Sequence, residues 1–513
     1  MRQPFGVGFW IKSSVAVLAL TAGMRAACAD VVISNQATKN MDCAGDGCEP
    51  TAPDAVLNVT ELEDFISQQG NVTVFSSGRN VEATNIVVKT ALATPDTTAL
   101  TFDAAGAIIV DAPVSIGGSN AELQLQSETG GTLGDISFGP KGHISFGSTS
   151  DLFDINGGVF QLVDTLPELA NLANAEPSSF YALTNSYDAS ADGTYHSPPV
   201  STTFTGYFEA LGNTISNLKL KASTGEYLGL FAGISGSGGF GVVRNLRLEN
   251  ASVVSDHASD IGAIAGSIEQ NASIVQSSTT GEVKTGDSSS AGGVVGEINL
   301  GSVLSSWSSA NVSAGNTFSS VGGLVGAGSV IRNSWATGTV TGGSDSSTGG
   351  LVGLGGAISK CFATGEVITT GGGASAGGLV GDGADVNNSY AEGSVSGTGG
   401  VGPNTLGGLI GYSETGTSAS YATGTVTGSG SDLIGGLAGM DISHRGFTDT
   451  YWDTTTSGLA EGVGRSNNGN DGTPLTSRQL RSGLPAGFKP SVWRETGQTN
   501  HGFPWLRGAP PPK

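Results

Sequence analysis

Gly323-Leu324-Val325-Gly326 leads into Ile331-Arg332-Asn333-Ser334-Trp335-Ala336-Thr337-Gly338-Thr339-Val340. Then Gly350-Leu351-Val352-Gly353 leads into Ile358-Ser359-Lys360-Cys361-Phe362-Ala363-Thr364-Gly365-Glu366-Val367, so residues 323–367 state one unit and restate it 27 residues on. Outward from this pair, the same small-residue and aliphatic motif recurs around Leu230, Ile264, Val294, Leu379, Leu409 and Leu437. Eight markers spaced 27 to 34 residues apart are a repeat architecture. Each unit holds two short β-prone runs divided by Gly, Ser, Asn and Asp, and none has helical periodicity. One such pair of strands buries too little apolar surface to stand alone. Stacked coils solve this by pairing each backbone group with the coils above and below, about 4.8 Å away. The expected fold is all-β, a right-handed parallel β-helix (β-solenoid) with short capping helices.

Stacking places equivalent residues in columns. One column reads Trp307, Trp335, Phe362, Tyr390, Tyr421 and Tyr451, and the residue before each reads Ser306, Ser334, Cys361, Ser389, Ser420 and Thr450. Cys361 therefore stands on a serine rung as a small packed side chain. Two readings of the aromatic column stand: a structural stack, or an exposed stripe for flat sugar faces. Parity puts Trp335 on the side of Ile331 if the strand is straight; Asn333 marks the place for a bend. The marker residues Leu351 and Leu379 are expected in the core. Glu366, with Glu282, Glu297, Asp382 and Glu392, is expected on the solvated surface.

The G-G-L-V-G core with N-S-Y-A-x-G-x-V (Asn388–Val395) resembles the GLUG repeat of large bacterial surface proteins. The lead-in Phe204–Leu218 and the exit Tyr451-Trp452-Asp453 with Leu475–Leu480 are similar to segments flanking such repeats in filamentous-haemagglutinin-like adhesins. The resemblance implies a surface or secreted adhesin and carries no catalytic residues across.

The flanks divide the rest. Arg2 and Lys12, the apolar run Ser13–Gly23 and Ala27-Cys28-Ala29 predict a signal peptide over 1–29 with cleavage before Asp30. An acylated Cys28 is the competing reading, and Arg25 counts against it. Residues 30–54 form an N-terminal segment in which Cys43 and Cys48 flank a turn and are expected to close a disulfide. Residues 55–165 read as irregular β-helix coils, 166–226 as a connecting region, 227–457 as the repeats, and 458–513 as a C-terminal cap with a disordered tail. Thr60-x-x-Glu63 and Thr165-x-x-Glu168 have capping-box spacing, and the first helix is expected to cover an end of the solenoid.

A net charge of −22 excludes nucleic acid as a partner and disfavours anionic lipid. No run after the leader is long and apolar enough to span a bilayer. The expected location is secreted or at the outer cell surface. The expected partners are a host-surface or matrix glycan or protein, and an outer-membrane export partner, since no barrel-like run closes the chain. Five scattered histidines and the absence of a Ser-His-Asp order speak against catalysis. The expected function is attachment; a polysaccharide-binding or polysaccharide-degrading β-helix is the alternative. No cofactor is expected. Asp188, Ser190 and Asp192 have the alternating oxygens of a calcium loop, but Pro199 stands where an EF-hand needs Glu, and a plain Asp-stabilised turn is the other reading.

Overall fold

The structure is a computed structural model that describes residues 30–79, 81–131, 134–315, 317–509 and 511. The expected leader, with Cys28, and most of the proline tail lie outside these residues. The architecture is the all-β, right-handed parallel β-helix, with in-register pairing from coil to coil. No helix among the described residues is long and apolar enough to cross a membrane.

One coil shows why the repeat folds this way. Ser347–Gly349 is a strand of one sheet, Gly350-Leu351 turns the corner, and Val352–Ser359 runs along the facing sheet. Lys360 bends the chain, and Phe362–Ala363 returns it to the first sheet. At the corner, close approach dictates glycine: a Cβ on Gly350 would stand 2.1 Å from the carbonyl oxygen of Gly378, and one on Gly349 1.9 Å from that of Val352. The next residue fills the interior. Leu324, Leu351, Leu379, Leu409 and Leu437 are fully buried, and the N–H of Leu351 donates to Leu379 O at 2.9 Å. Leu351 and Leu379 thus lie where the periodicity puts them.

The bend is a column of its own. Asn245, Gln276, Ser305, Asn333, Lys360, Asn388, Ala419 and Asp449 all take left-handed φ between 48° and 56°. Asn and Asp bear that conformation best among residues with a side chain. The bend throws the following residue outward: Ile331 sits in the core while Trp335 stands on the outer wall. It also leaves backbone groups that the serine column satisfies. The N–H groups of Ser277, Ser306, Cys361 and Ser389 each donate to the serine hydroxyl one coil on, at 3.1 Å. Each hydroxyl donates back to the carbonyl two residues before it, as Ser334 does to Arg332 at 2.8 Å. Cys361 follows suit, its thiol 3.3 Å from Ser359 O, and burial pushes its pKa up to about 12.

The chain builds two solenoid blocks. Residues 30–155 make the first, and Val31–Ser34 pairs with both Ala55–Asn58 and Ile86–Val88, so the N-terminal segment belongs to its wall. Cys43 and Cys48 are bonded across an antiparallel hairpin. A second hairpin, Leu152–Ile155 with Gly158–Val163, reverses strand direction. From there parallel pairing resumes through Phe180–Leu183, Tyr207–Glu209 and Val242–Arg244 into the repeats. The expected connecting region therefore already contains coils. These strands carry a core on each face: Ala182, Tyr207 and Val242 pack on the first block, and Tyr181, Phe208 and Val243 on the second. The final coil uses Val463–Ser466 and Thr473–Leu475, so the solenoid extends past residue 457.

Helix Val59–Gln69 follows the outermost strand of the first block and buries Val59, Leu62 and Ile66. Its cap is Asn58, which accepts from Thr60 N and Glu61 N, in place of the expected Thr60. Glu63 instead accepts from Ala93 N at 2.8 Å, covering an open sheet edge. Helix Leu166–Ala175 is capped by Thr165 as expected, while Glu168 reaches back to Asp164 N.

Candidate functional site

The aromatic column obeys neither simple reading along its whole length. Its rings stack with interplanar angles of 2° to 9° and centroids 4.8 to 6.2 Å apart, from Trp307 to Tyr421. Phe362, Tyr390 and Tyr421 are fully buried and Tyr451 nearly so. What buries them is the C-terminal segment, which folds back along the flank rather than over the open end. Phe488 packs on Tyr451, Trp493 on Tyr421 and Tyr390, and Phe503 on Tyr421. Trp493 donates from its indole N–H to Asn388 Oδ1 at 3.1 Å, and Tyr421 from its hydroxyl to Pro504 O at 2.7 Å. Trp505 pairs with Arg494 in a small hairpin at the end of this segment.

Glu392 is drawn into the same contact. Its Oε1 accepts from Asn500 Nδ2 at 2.7 Å and from the Tyr421 hydroxyl at 3.1 Å, and burial pushes its pKa up. Glu392 is therefore not the solvated charge expected of its place in the repeat. Glu297 and Asp382 are also half-buried; Glu282 and Glu366 are exposed.

The segment passes Gly508 beside Asn333, and Trp307 and Trp335 stand half-exposed. Opposite, Phe138 and Pro140 of the first block overhang. Between them lies a cleft of about 530 Å³ whose floor is two adjacent columns. The bend column gives it Asn245, Gln276, Ser305 and Asn333; the ring column gives Arg247, Ser278, Trp307 and Trp335, with Glu249 beside them.

The wall on the first-block side is held by arginines. Arg244 donates to Gly134 O at 2.8 Å and Ile136 O at 2.7 Å, and Arg247 to Gly139 O at 2.6 Å, Gly142 O at 3.1 Å and Pro140 O at 3.3 Å. Ile136–Phe138 is the last strand of its sheet, so these donors close an otherwise unpaired edge. Arg244 is itself buried beside Glu209 and Tyr207. Burial pushes the fully buried Glu209 carboxyl up; Arg244, Asn245 and the Leu211 N–H pull it back. The signal for this junction, an Arg at the ring position of an early coil, is readable only once the register is known.

The calcium-loop residues do not converge on a shared centre. Asp188 caps a short turn, accepting from Ser190 N at 3.0 Å and Asn217 Nδ2 at 2.8 Å, contacts that lower its pKa. Asp192 accepts from the hydroxyls of Tyr187 and Tyr195. Among the described residues no three His, Cys, Asp or Glu side chains are grouped to hold a metal. Among the described residues Asp260 and Glu297, which do not line the cleft, form an interacting carboxyl pair in which burial and the second carboxylate raise Asp260 to about 7.

No family model matches the chain. A 162-residue stretch is 35% identical to halomucin of Haloquadratum walsbyi, covering 29% of this chain. The chain spans about 2% of the length of that relative. Among solved structures, a Bacteroides ovatus protein provisionally assigned as an immunoglobulin A1 protease aligns over 68% of this chain and 93% of its own, at 18% identity and a TM-score of 0.37.

Proposed function

We propose that this is an exported, adhesin-like β-solenoid that attaches its cell, or the layer around it, to extracellular glycan through the cleft over Trp307 and Trp335. The carrying observation is selective cover: the C-terminal segment closes four rings of the column and leaves two open, among amide and hydroxyl side chains. Half-exposed indoles beside convergent polar groups suit flat sugar faces fringed with hydroxyls. The resemblance to GLUG-repeat adhesins, the acidic sequence and the leader expected over residues 1–29 support a secreted or outer-surface location and an outer-membrane export partner. Cell fractionation combined with a glycan array probed by the purified chain tests this reading. Surface retention with sugar binding is expected. A cytoplasmic protein that binds no glycan overturns it.

A second reading, polysaccharide cleavage, draws on the Asp260–Glu297 pair, since a carboxyl still protonated near neutrality can serve as a general acid. Release of new reducing ends, lost in Asp260→Asn, would favour it over attachment.

A further inference from the structure

Ring stacking dictates which aromatic surface a ligand can reach. The planes are nearly parallel and follow one another from coil to coil, so each interior ring has both faces covered and shows solvent only an edge. Trp307 begins the stack. One of its faces meets Trp335, and the other looks down the column toward Ser278, its direct partner in the preceding coil. Ser278 carries no ring, and the position below it is Arg247. From Trp307 to Arg247 is two coils, about 9.6 Å. A flat group between two surfaces needs about 7–8 Å, two van der Waals contacts of 3.5–4.0 Å each. The coil spacing therefore matches one more ring at the level of Ser278, whose small, buried side chain lies at the margin of the cleft.

Resting on the attachment reading, we propose that the cleft binds a neutral hexopyranose residue of a glycan, which takes the Ser278 level of the ladder as an added ring beneath Trp307. The chemistry of the surround selects this class. Arg247 spends its guanidinium on three backbone carbonyls, and Glu249 stands beside it, so the slot offers no free cation to an acidic sugar. The net charge of −22 repels a polyanion as well. Gln276, Asn333 and Glu249 would lose water without replacement against the plain edge of a phenyl or indole ring. Ring hydroxyls give each of them a partner, while the C–H face of the pyranose lies on the indole.

The test uses the full chain and follows tryptophan fluorescence and equilibrium binding. The probes are the methyl glycosides of glucose, galactose and mannose, with glucuronate and p-cresol as an acidic sugar and a tyrosine mimic. Ser278→Trp supplies the missing ring from the protein itself, and Trp307→Ala removes the free face. Thermal midpoints establish that each variant is folded, and either variant alone suffices if the other is not. The expected result is saturable binding of at least one neutral glycoside, weakened tenfold or more in both folded variants. Neutral-glycan binding that stays within threefold in both variants overturns ring insertion and leaves the attachment reading standing. Tighter binding of glucuronate or p-cresol overturns the ligand class. An array with no bound glycan removes the attachment reading and this inference with it.

Discussion

Glu392 and Asn500, 108 residues apart, are joined by a 2.7 Å hydrogen bond that fastens the C-terminal segment to the flank of the solenoid. The same amide reaches the Tyr421 hydroxyl at 3.0 Å, so one carboxylate organises a small buried polar network. Networks of this kind fail as a unit when one member is removed.

Glu392→Ala should cost about 1–3 kcal/mol, the penalty for leaving buried donors unpaired. Glu366→Ala, at an exposed position two residues further along the preceding coil, should stay within about 0.5 kcal/mol. Chemical denaturation measures both. Limited proteolysis should show the Glu392 variant cut first between residues 476 and 509. Equal effects of the two substitutions would refute the network.

Leu351→Ala and Leu379→Ala should each cost about 2–5 kcal/mol, since both side chains are fully buried at the corner. In a stacked array the defect weakens both neighbouring interfaces. Hydrogen exchange should therefore accelerate across three adjacent coils. Protection lost at one coil only would show that the coils are not coupled through this column.

Arg244→Ala should be more damaging than its single charge suggests, by about 3–5 kcal/mol, because it strands the buried Glu209 as well as two backbone carbonyls. The expected signature is loosening of the first block, read as faster exchange at residues 134–142. An unchanged exchange pattern there would mean that the guanidinium does not hold the sheet edge.

Asp260 sets a pH dependence whose sign is opposite to that of a salt-bridged carboxylate. Its folded pKa is about 7, above the ordinary 3.8, through burial first and Glu297 second. Between those values the folded chain holds a proton that the unfolded chain has released. This contribution is complete below pH 3.8 and is lost as the pH rises through about 7, an effect on the order of 2–4 kcal/mol. Asp382, raised to about 6 by burial and Glu414, adds in the same direction. Asp260→Asn should flatten the stability profile between pH 4 and pH 8. A wild-type profile that rises across this range would contradict the assignment.

Cys361 should resist thiol reagents at pH 8 in the folded protein, since its thiol is buried and its pKa is pushed up to about 12. Labelling should follow unfolding. Rapid modification of the native chain would place the thiol elsewhere.

The repeats were legible because local preferences recur: glycine where backbones touch, an aliphatic residue at the corner, and asparagine or aspartate at four of the eight bends. Leu351, Asn333 and Cys361 could be placed from spacing alone. The fate of Trp335 and Glu392 could not, because it depends on residues 476–509, which carry no period and meet the column only in space. The reversal at Gly158–Val163 was equally hidden, since a hairpin between two β runs looks the same in sequence whether the next coil continues or turns round. Thr60 is not the cap because the helix starts one residue before it, and Asn58 accepts from the N–H groups of Thr60 and Glu61. The cleft is the joint product of these unperiodic features, so its ring position was visible and its openness was not.

Solenoids ordinarily gain and lose repeats freely during evolution, since any coil can stack on any other. Here the strap from Phe488 at Tyr451 to Gly508 at Asn333 spans a fixed number of rungs. Inserting one coil between those residues would lengthen the column by about 4.8 Å while the strap stayed the same. It would then fall a rung short and bare a third ring, or lose its grip on Tyr451. The strap works as a ruler, and copy number within this interval is under a constraint that the repeats themselves do not impose.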